Sequence, residues 1–189
     1  MRITKREEHM KATKARAARK RAQEILSKAR IAITPKEAEG IDVADFGLGD
    51  LAHICLELIV YENNSRYCAK EIVLFPGQTC PEHRHPPLSN ANPGKQETFR
   101  CRWGEFYLYI PGTPSGKPRG RIPRKYAPYF TVWNEIVLRP GDQYTLPPNT
   151  PHWFQGGKKG AVVSEFSSNS SDETDLFTDP HIQRVPAYE

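Results

Sequence analysis

The 189-residue chain has no hydrophobic run long enough to cross a bilayer, and its N-terminal stretch is too polar for a secretory signal. Those absences argue against a membrane span and against export, and a soluble cytoplasmic protein is expected. Cysteine is scarce: Cys55, Cys68, Cys80 and Cys101 are the four present, and no two have CxxC spacing. Zinc held by thiolates is therefore not expected, and the four read as reduced residues in or near a core. No repeat of ordinary length is present, which argues against a solenoid or propeller. The length suits one domain, or one domain with a tail, and is enough to bury a core.

Excess positive charge is lacking outside the first forty residues. Residues 1–40 hold 12 Lys/Arg against 5 Asp/Glu, a net +7, so the total of +5 leaves −2 for the rest. The stretch "KATKARAARKRAQEILSKARIAI" (11–33) contains no Gly or Pro and is rich in helix formers. Ile25, Leu26, Ala29 and Ala32 would form one narrow apolar stripe on it. Residues 1–40 are thus expected to be a basic helical extension whose stripe docks on the body or on a second subunit. Its charges read as a solvated face, and no nucleic-acid partner is expected.

Helix signals are scarce in the remainder, residues 41–189. "ICLELIVY" (54–61) and "YCAKEIVLF" (67–75) are β-branched and aromatic, with "ENNSR" turning between them. "ETFRCRWGEFYLYI" (97–110) breaks at Gly104 and suggests a hairpin. "YFTVWNEIVLRPGDQYTLPP" (129–148) predicts two strands about a "PGD" turn. "HWFQGGKKGAVVSEFSS" (152–168) suggests another hairpin at "GGKKG", and "SSNSSDETD" (167–175) reads as loop. Many short strands with glycine-bearing turns predict an all-β sandwich or barrel.

Within that body, "HRHPP" places His83 and His85 on one face of a strand that the prolines end. Glu97 opens the next strand, and "GDQYTLPPNTPHW" brings His152 from a third. Three imidazoles and one carboxylate suit a divalent first-row metal, and an octahedral ion so held keeps two positions open for substrate or water. Glu82, the neighbouring carboxylate, alternates to the other face from the two histidines and is not expected to be a ligand.

"GQTCPEHRH", followed by Glu97 and Gly104, resembles the first cupin motif, and "GDQYTLPPNTPH" resembles the second. One departure is the long "PPLSNANPGKQ" between His85 and Glu97. "DFGLGD", "RYCAKEIVLFPGQTCPEHRHPP", "GKQETFRCRWGEFYLY", "YTLPPNTPHWFQGGKKGAVVSEFSS" and "DLFTDP" together are similar to the cupin-type D-lyxose isomerases, over roughly residues 30–182. The resemblance implies a cupin double-stranded β-helix, or jelly-roll barrel. It implies Mn²⁺, with other divalent first-row metals as substitutes, on His83, His85, Glu97 and His152. It implies interconversion of D-lyxose and D-xylulose, with D-mannose and D-fructose as further substrates, through a metal-stabilised cis-enediolate.

That chemistry needs proton-transfer groups near the metal. Lys70 shares a strand face with Ile72 and Leu74, and the interior of a barrel would lower its pKa. Glu165 shares one with Val163 and Ala161. The two are expected to divide the proton shuttle from opposite sides of the sugar. Lys95, Trp153 and Phe154 are candidate substrate contacts. Tyr107 and Tyr109 alternate with core positions and suggest a dimer contact, so a homodimer is expected. Asp175 and Asp179 read as turn caps. The competing functions are another cupin metalloenzyme, such as a non-haem iron dioxygenase, and a sugar-binding cupin without catalysis.

Overall fold

The computed structural model describes residues 5–114 and 116–184. Two helices, α1 (Lys5–Lys28) and α2 (Pro35–Glu39), precede nine strands: β1 (Asp42–Ala44), β2 (Leu56–Asn63), β3 (Cys68–Leu74), β4 (Thr79–Arg84), β5 (Glu97–Ile110), β6 (Asn134–Leu138), β7 (Gln143–Leu146), β8 (His152–Ser167) and β9 (Leu176–Phe177). One path of pairing runs β1-β2-β3-β8-β4-β9. Strand β5 joins it through β8 and also pairs β6 and β7. All of these ladders are antiparallel.

The two expected hairpins at Gly104 and "GGKKG" are instead the corners of two long strands. β5 and β8 run beside each other for most of their lengths. The register jumps between Gly104, opposite Ala161, and Phe106, opposite Gly156, so residues 157–160 bulge outward. There the sheet folds over on itself, and the β5 half before the corner pairs β7 while the half after it pairs β6. Glycine is required at this corner: a Cβ on Gly104 (φ +75°) would sit 2.1 Å from the Gly160 carbonyl oxygen. The sequence signal was a real break in the pleat, but it marked a fold in the sheet rather than a chain reversal.

The folded sheet encloses a core of Leu56, Leu74, Phe99, Phe106, Leu108, Tyr109, Trp153 and Phe154 among others. Tyr109 is wholly buried and lies flat on Trp153, ring centroids 3.7 Å apart. Tyr107 is buried as well, so neither tyrosine offers the dimer contact expected from strand alternation.

A second apolar cluster lies on the outer face, where Ala15, Ala18, Ala22, Ile25 and Leu26 of α1 pack on Val43, Ile59, Val73 and Val162. Docking on the body is therefore the arrangement adopted. The stripe ends earlier than expected. α1 stops at Lys28, Arg30 takes a left-handed φ of 58°, and Ala32 is exposed. Thr34 then starts α2 with a capping box to Glu37.

Candidate metal centre and its proton-transfer groups

β4 and β8 pair so that His83 faces His152 across the ladder, and His85 follows just past the end of β4. The imidazoles of His83, His85 and His152 offer nitrogens that all lie within 4.8 Å of one another, and all three rings are buried. Glu97 enters from β5, which the long segment after His85 returns to the site. That segment closes tightly at Gly94, where a Cβ would meet the His85 carbonyl oxygen at 2.4 Å. The insertion therefore leaves Glu97 in reach of two of the three histidines: its Oε2 is 3.1 Å from His85 Nε2 and 3.2 Å from His152 Nε2.

The protonation pattern of this cluster follows from its outer partners. His83 Nδ1 lies 2.9 Å from the Pro81 carbonyl, and His152 Nδ1 lies 2.9 Å from the Thr150 carbonyl. A carbonyl only accepts, so both Nδ1 atoms carry the hydrogen and both Nε2 atoms present lone pairs inward. His85 Nδ1 similarly faces the Asp175 carboxylate at 2.5 Å. Inside the ring of donors, His85 Nε2, His152 Nε2 and Glu97 Oε2 are buried without a hydrogen bond of acceptable geometry. Lone pairs on imidazole and carboxylate converging on one point favour a cation between them. The donor set fits a divalent first-row metal.

Burial and the charges within the cluster set its electrostatics. Burial, with His152 and His85 beside it, pushes His83 well below its ordinary value. Burial also pulls His85 down, but Glu97 and Asp175 outweigh it and hold it up at about 9. For Glu97, burial opposes ionisation, yet Lys95 and His85 keep its carboxyl well below the usual range.

Lys95 is the most consequential of the neighbours. Its Nζ lies 2.6 Å from Glu97 Oε1 and 2.7 Å from Glu165 Oε1, so one buried ammonium joins the carboxylate beside the histidines to a second carboxylate. Burial favours the neutral amine, but Glu165 and Glu97 overcome it and raise Lys95 well above the ordinary lysine value. Lys70 also reaches the cavity wall, where Nζ donates to Ser170 Oγ at 3.1 Å and Asp172 Oδ1 at 3.0 Å. Its expected pKa depression does not occur. Burial acts in that direction, but Glu165 and Asp172 outweigh it and the value rises.

Lys70 and Glu165 are direct partners on β3 and β8, so they share one wall rather than flanking the site from opposite sides. Phe154 lines the cavity with Leu56, Leu58 and Ile72. Trp153 does not line it; its parity turns the ring into the core against Tyr109, Phe130 and Trp133. Asp179 caps the turn at His181 as expected. Asp175, read from sequence as a turn cap, orients His85 instead. Asp172, Phe177 and Arg184, all in the C-terminal segment, also line the cavity; Phe177 falls in the "DLFTDP" stretch, but none of the three was a candidate site residue from sequence. Phe177 stacks on His83 with centroids 5.4 Å apart, placed there by the two ladder pairs of β9 with β4.

No family model matches the chain. Among curated proteins, a D-lyxose ketol-isomerase of Thermofilum sp. (strain ex4484_79) is 65% identical over 169 residues, covering 89% of this chain and 93% of that one. A D-lyxose/D-mannose isomerase of Thermosediminibacter oceani is 60% identical over 180 residues, covering 95% and 99%. A D-lyxose ketol-isomerase of Cohnella laeviribosi is 57% identical, covering 95% and 98%. Among solved structures, the L-ribose isomerase of Cellulomonas parahominis with L-ribose superposes with a TM-score of 0.71 at 16% identity, covering 98% of this chain and 96% of that chain. The L-ribose isomerase of Acinetobacter sp. DL28 gives 0.67 at 18% identity, covering 95% and 94%. These last two likenesses establish the cupin-like jelly-roll fold.

Proposed function

The chain belongs to the D-lyxose ketol-isomerase family, and from that premise we propose that it interconverts D-lyxose and D-xylulose at the histidine–glutamate cluster, with D-mannose and D-fructose as a second pair. The observation that carries the reading is the Lys95 ammonium bridging Glu97 and Glu165. It supports Glu165 as the proton-transfer carboxylate beside a metal-ready donor set.

His83, His85, Glu97 and His152 would hold the ion, with Mn²⁺ the expected metal. Bound there, it would act as a Lewis acid toward adjacent sugar oxygens. Glu165 takes the proton from C2 of the open-chain aldose. The released electron pair forms the C1–C2 double bond as the aldehyde carbonyl opens. The same carboxyl returns the proton to C1, the O2 proton passes to O1, and the product is the 2-ketose. Lys95 compensates the two carboxylates that the dry site would otherwise leave unpaired. Lys70, kept protonated and fixed by Asp172 and Ser170, donates to a sugar oxygen. Phe154 gives the sugar an apolar wall.

We place the enzyme in the cytoplasm, a reading supported by four unbridged, buried cysteines and by the absence, among the described residues, of a helix long and apolar enough to span a membrane. A homodimer remains the proposed assembly. Its support is the exposed apolar side chains Val60, Tyr61, Tyr67 and Phe166 on and beside β2, β3 and β8.

The test is sugar conversion by metal-stripped protein with Mn²⁺ added back. D-Xylulose formed from D-lyxose only with metal, and not by a His83→Ala/His85→Ala variant, supports the reading. Bound metal without turnover of any aldose or ketose overturns it.

A further inference from the structure

Glu82 is a buried carboxylate that neither the metal centre nor the proton transfer uses. It sits on β4 immediately before His83, pointing away from the histidines. It is only 2% exposed and no lysine or arginine lies at ion-pair distance among the described residues. Instead its oxygens are filled by hydrogen bonds from two other segments. Thr131 donates from its backbone N at 2.5 Å and from its hydroxyl at 2.7 Å, and Val132 N donates at 3.1 Å. Thr178 Oγ donates at 2.8 Å, and Thr178 N donates to the Glu82 carbonyl at 3.0 Å.

The segment containing Thr178 brings two groups to the metal centre: Asp175 on His85 Nδ1, and Phe177 on the His83 ring. Its own pairing is short. β9 has two residues and two ladder pairs with β4, ending at Phe177. The next residue is Thr178, where one further main-chain bond to the Glu82 carbonyl is reinforced by its hydroxyl on the Glu82 carboxylate. On its other side Glu82 grips residues 131–132, beside Phe130 and Trp133, which wedge against Trp153 next to His152. One carboxylate thus ties the β4 histidines, the segment that orients them, and the loop that packs behind the third histidine.

We propose that Glu82 is a positioning residue of the metal centre: it pins the 175–178 segment so that Asp175 and Phe177 hold His85 and His83 in ligating orientation. The inference rests on the histidine–glutamate cluster being a metal site. Carboxylate is required because four donors converge on it. An amide would turn one NH₂ toward a donor and lose part of the set.

The experiment measures Mn²⁺ affinity by titration calorimetry, and hydrogen exchange over residues 172–182, for the wild type, Glu82→Gln, Thr178→Val and Thr131→Val. Groups that orient metal-binding histidines typically contribute about 10–100-fold in affinity. Glu82→Gln and Thr178→Val are expected to weaken Mn²⁺ by about tenfold or more and to speed exchange in 172–182. Thr131→Val loses one hydroxyl bond on the loop side and is expected to keep near-wild-type affinity even if its melting temperature falls, which separates positioning from general stability. Wild-type affinity in folded Glu82→Gln overturns the proposal. If Glu82→Gln does not fold, wild-type affinity in Thr178→Val overturns it. If the wild type binds no Mn²⁺, the metal reading fails, and unchanged exchange over 172–182 in Glu82→Gln then overturns the pinning on its own.

Discussion

Glu97 Oε2 stands 3.2 Å from His152 Nε2, and the hydrogen on that ring lies on the opposite nitrogen, donated to the Thr150 carbonyl. Two acceptors so placed in a buried site store repulsion that a bound cation converts to attraction. Metal removal should therefore destabilise the protein as well as silence it. At Mn²⁺ a hundredfold above its dissociation constant, linkage stabilises the fold by about 2.7 kcal/mol. Thermal melts with and without chelator should show the metal-dependent rise, and His83→Ala/His85→Ala should abolish it. An identical melting temperature in both conditions would argue that these lone pairs face no ion.

Glu165 and Lys95 separate two kinds of loss. Glu165→Gln removes the proposed base but leaves the four proposed ligands in place. It should lower kcat by about 10²–10⁴-fold with Mn²⁺ affinity within a few-fold of wild type. Lys95→Met leaves Glu97 and Glu165 buried without their shared cation, so both turnover and metal affinity should change. Steady-state kinetics beside metal titration read the two effects apart. Full activity in Glu165→Gln would move the base elsewhere in the cavity.

The grouping of the candidate ligands was legible in the sequence because it is local in two places and periodic in both. His83 and His85 share a strand face, and the second motif brackets His152 with turn residues. Glu97 was legible through its spacing to Gly104, although that glycine turned out to mark a corner in a continuous strand. The supports of the site were not legible. Asp175 meets His85 from 90 residues away, and nothing in "SSDETD" distinguishes a histidine partner from a cap. Trp153 shows the converse: adjacency in sequence to His152 places it on the opposite face of β8, where it packs in the core. Strand alternation resolved which face a residue shares, not which face looks into the barrel. That choice is made by tertiary packing.

Glu57 predicts a pH dependence unrelated to the metal. It is wholly buried on the α1 side of β2, with Gln78 Nε2 at 3.2 Å from its Oε1, while its Oε2 has no hydrogen-bond partner. Burial pushes its carboxyl up to about 8, against the pull of Gln78 and Cys55. The folded state then holds this proton more tightly than the unfolded chain, whose value is near 4.5. Its contribution is fully present below pH 4.5 and is lost as pH rises towards about 8. Urea midpoints of wild type and Glu57→Gln should diverge over that window, the wild type losing stability as pH rises while the variant stays flatter. Parallel curves would show that Glu57 is ionised throughout.

Leu26 tests whether α1 is part of the folded body or a detachable leader. The side chain is wholly buried against the outer face of the sheet, beside Ala22 and Ile25, and Arg19 and Arg21 of the same helix reach the Ile41 carbonyl and the Phe75 ring. Leu26→Ala removes buried apolar volume where the sheet behind it cannot follow, and should destabilise the protein by about 2–5 kcal/mol. The proposed metal centre lies on the inner face, so Mn²⁺ affinity measured well below the melting temperature should be unchanged. A loss of that size at the single global unfolding transition makes helix and barrel one cooperative unit. A separate low-temperature transition, with the main one unmoved, would make α1 an appendage that docks without supporting the site.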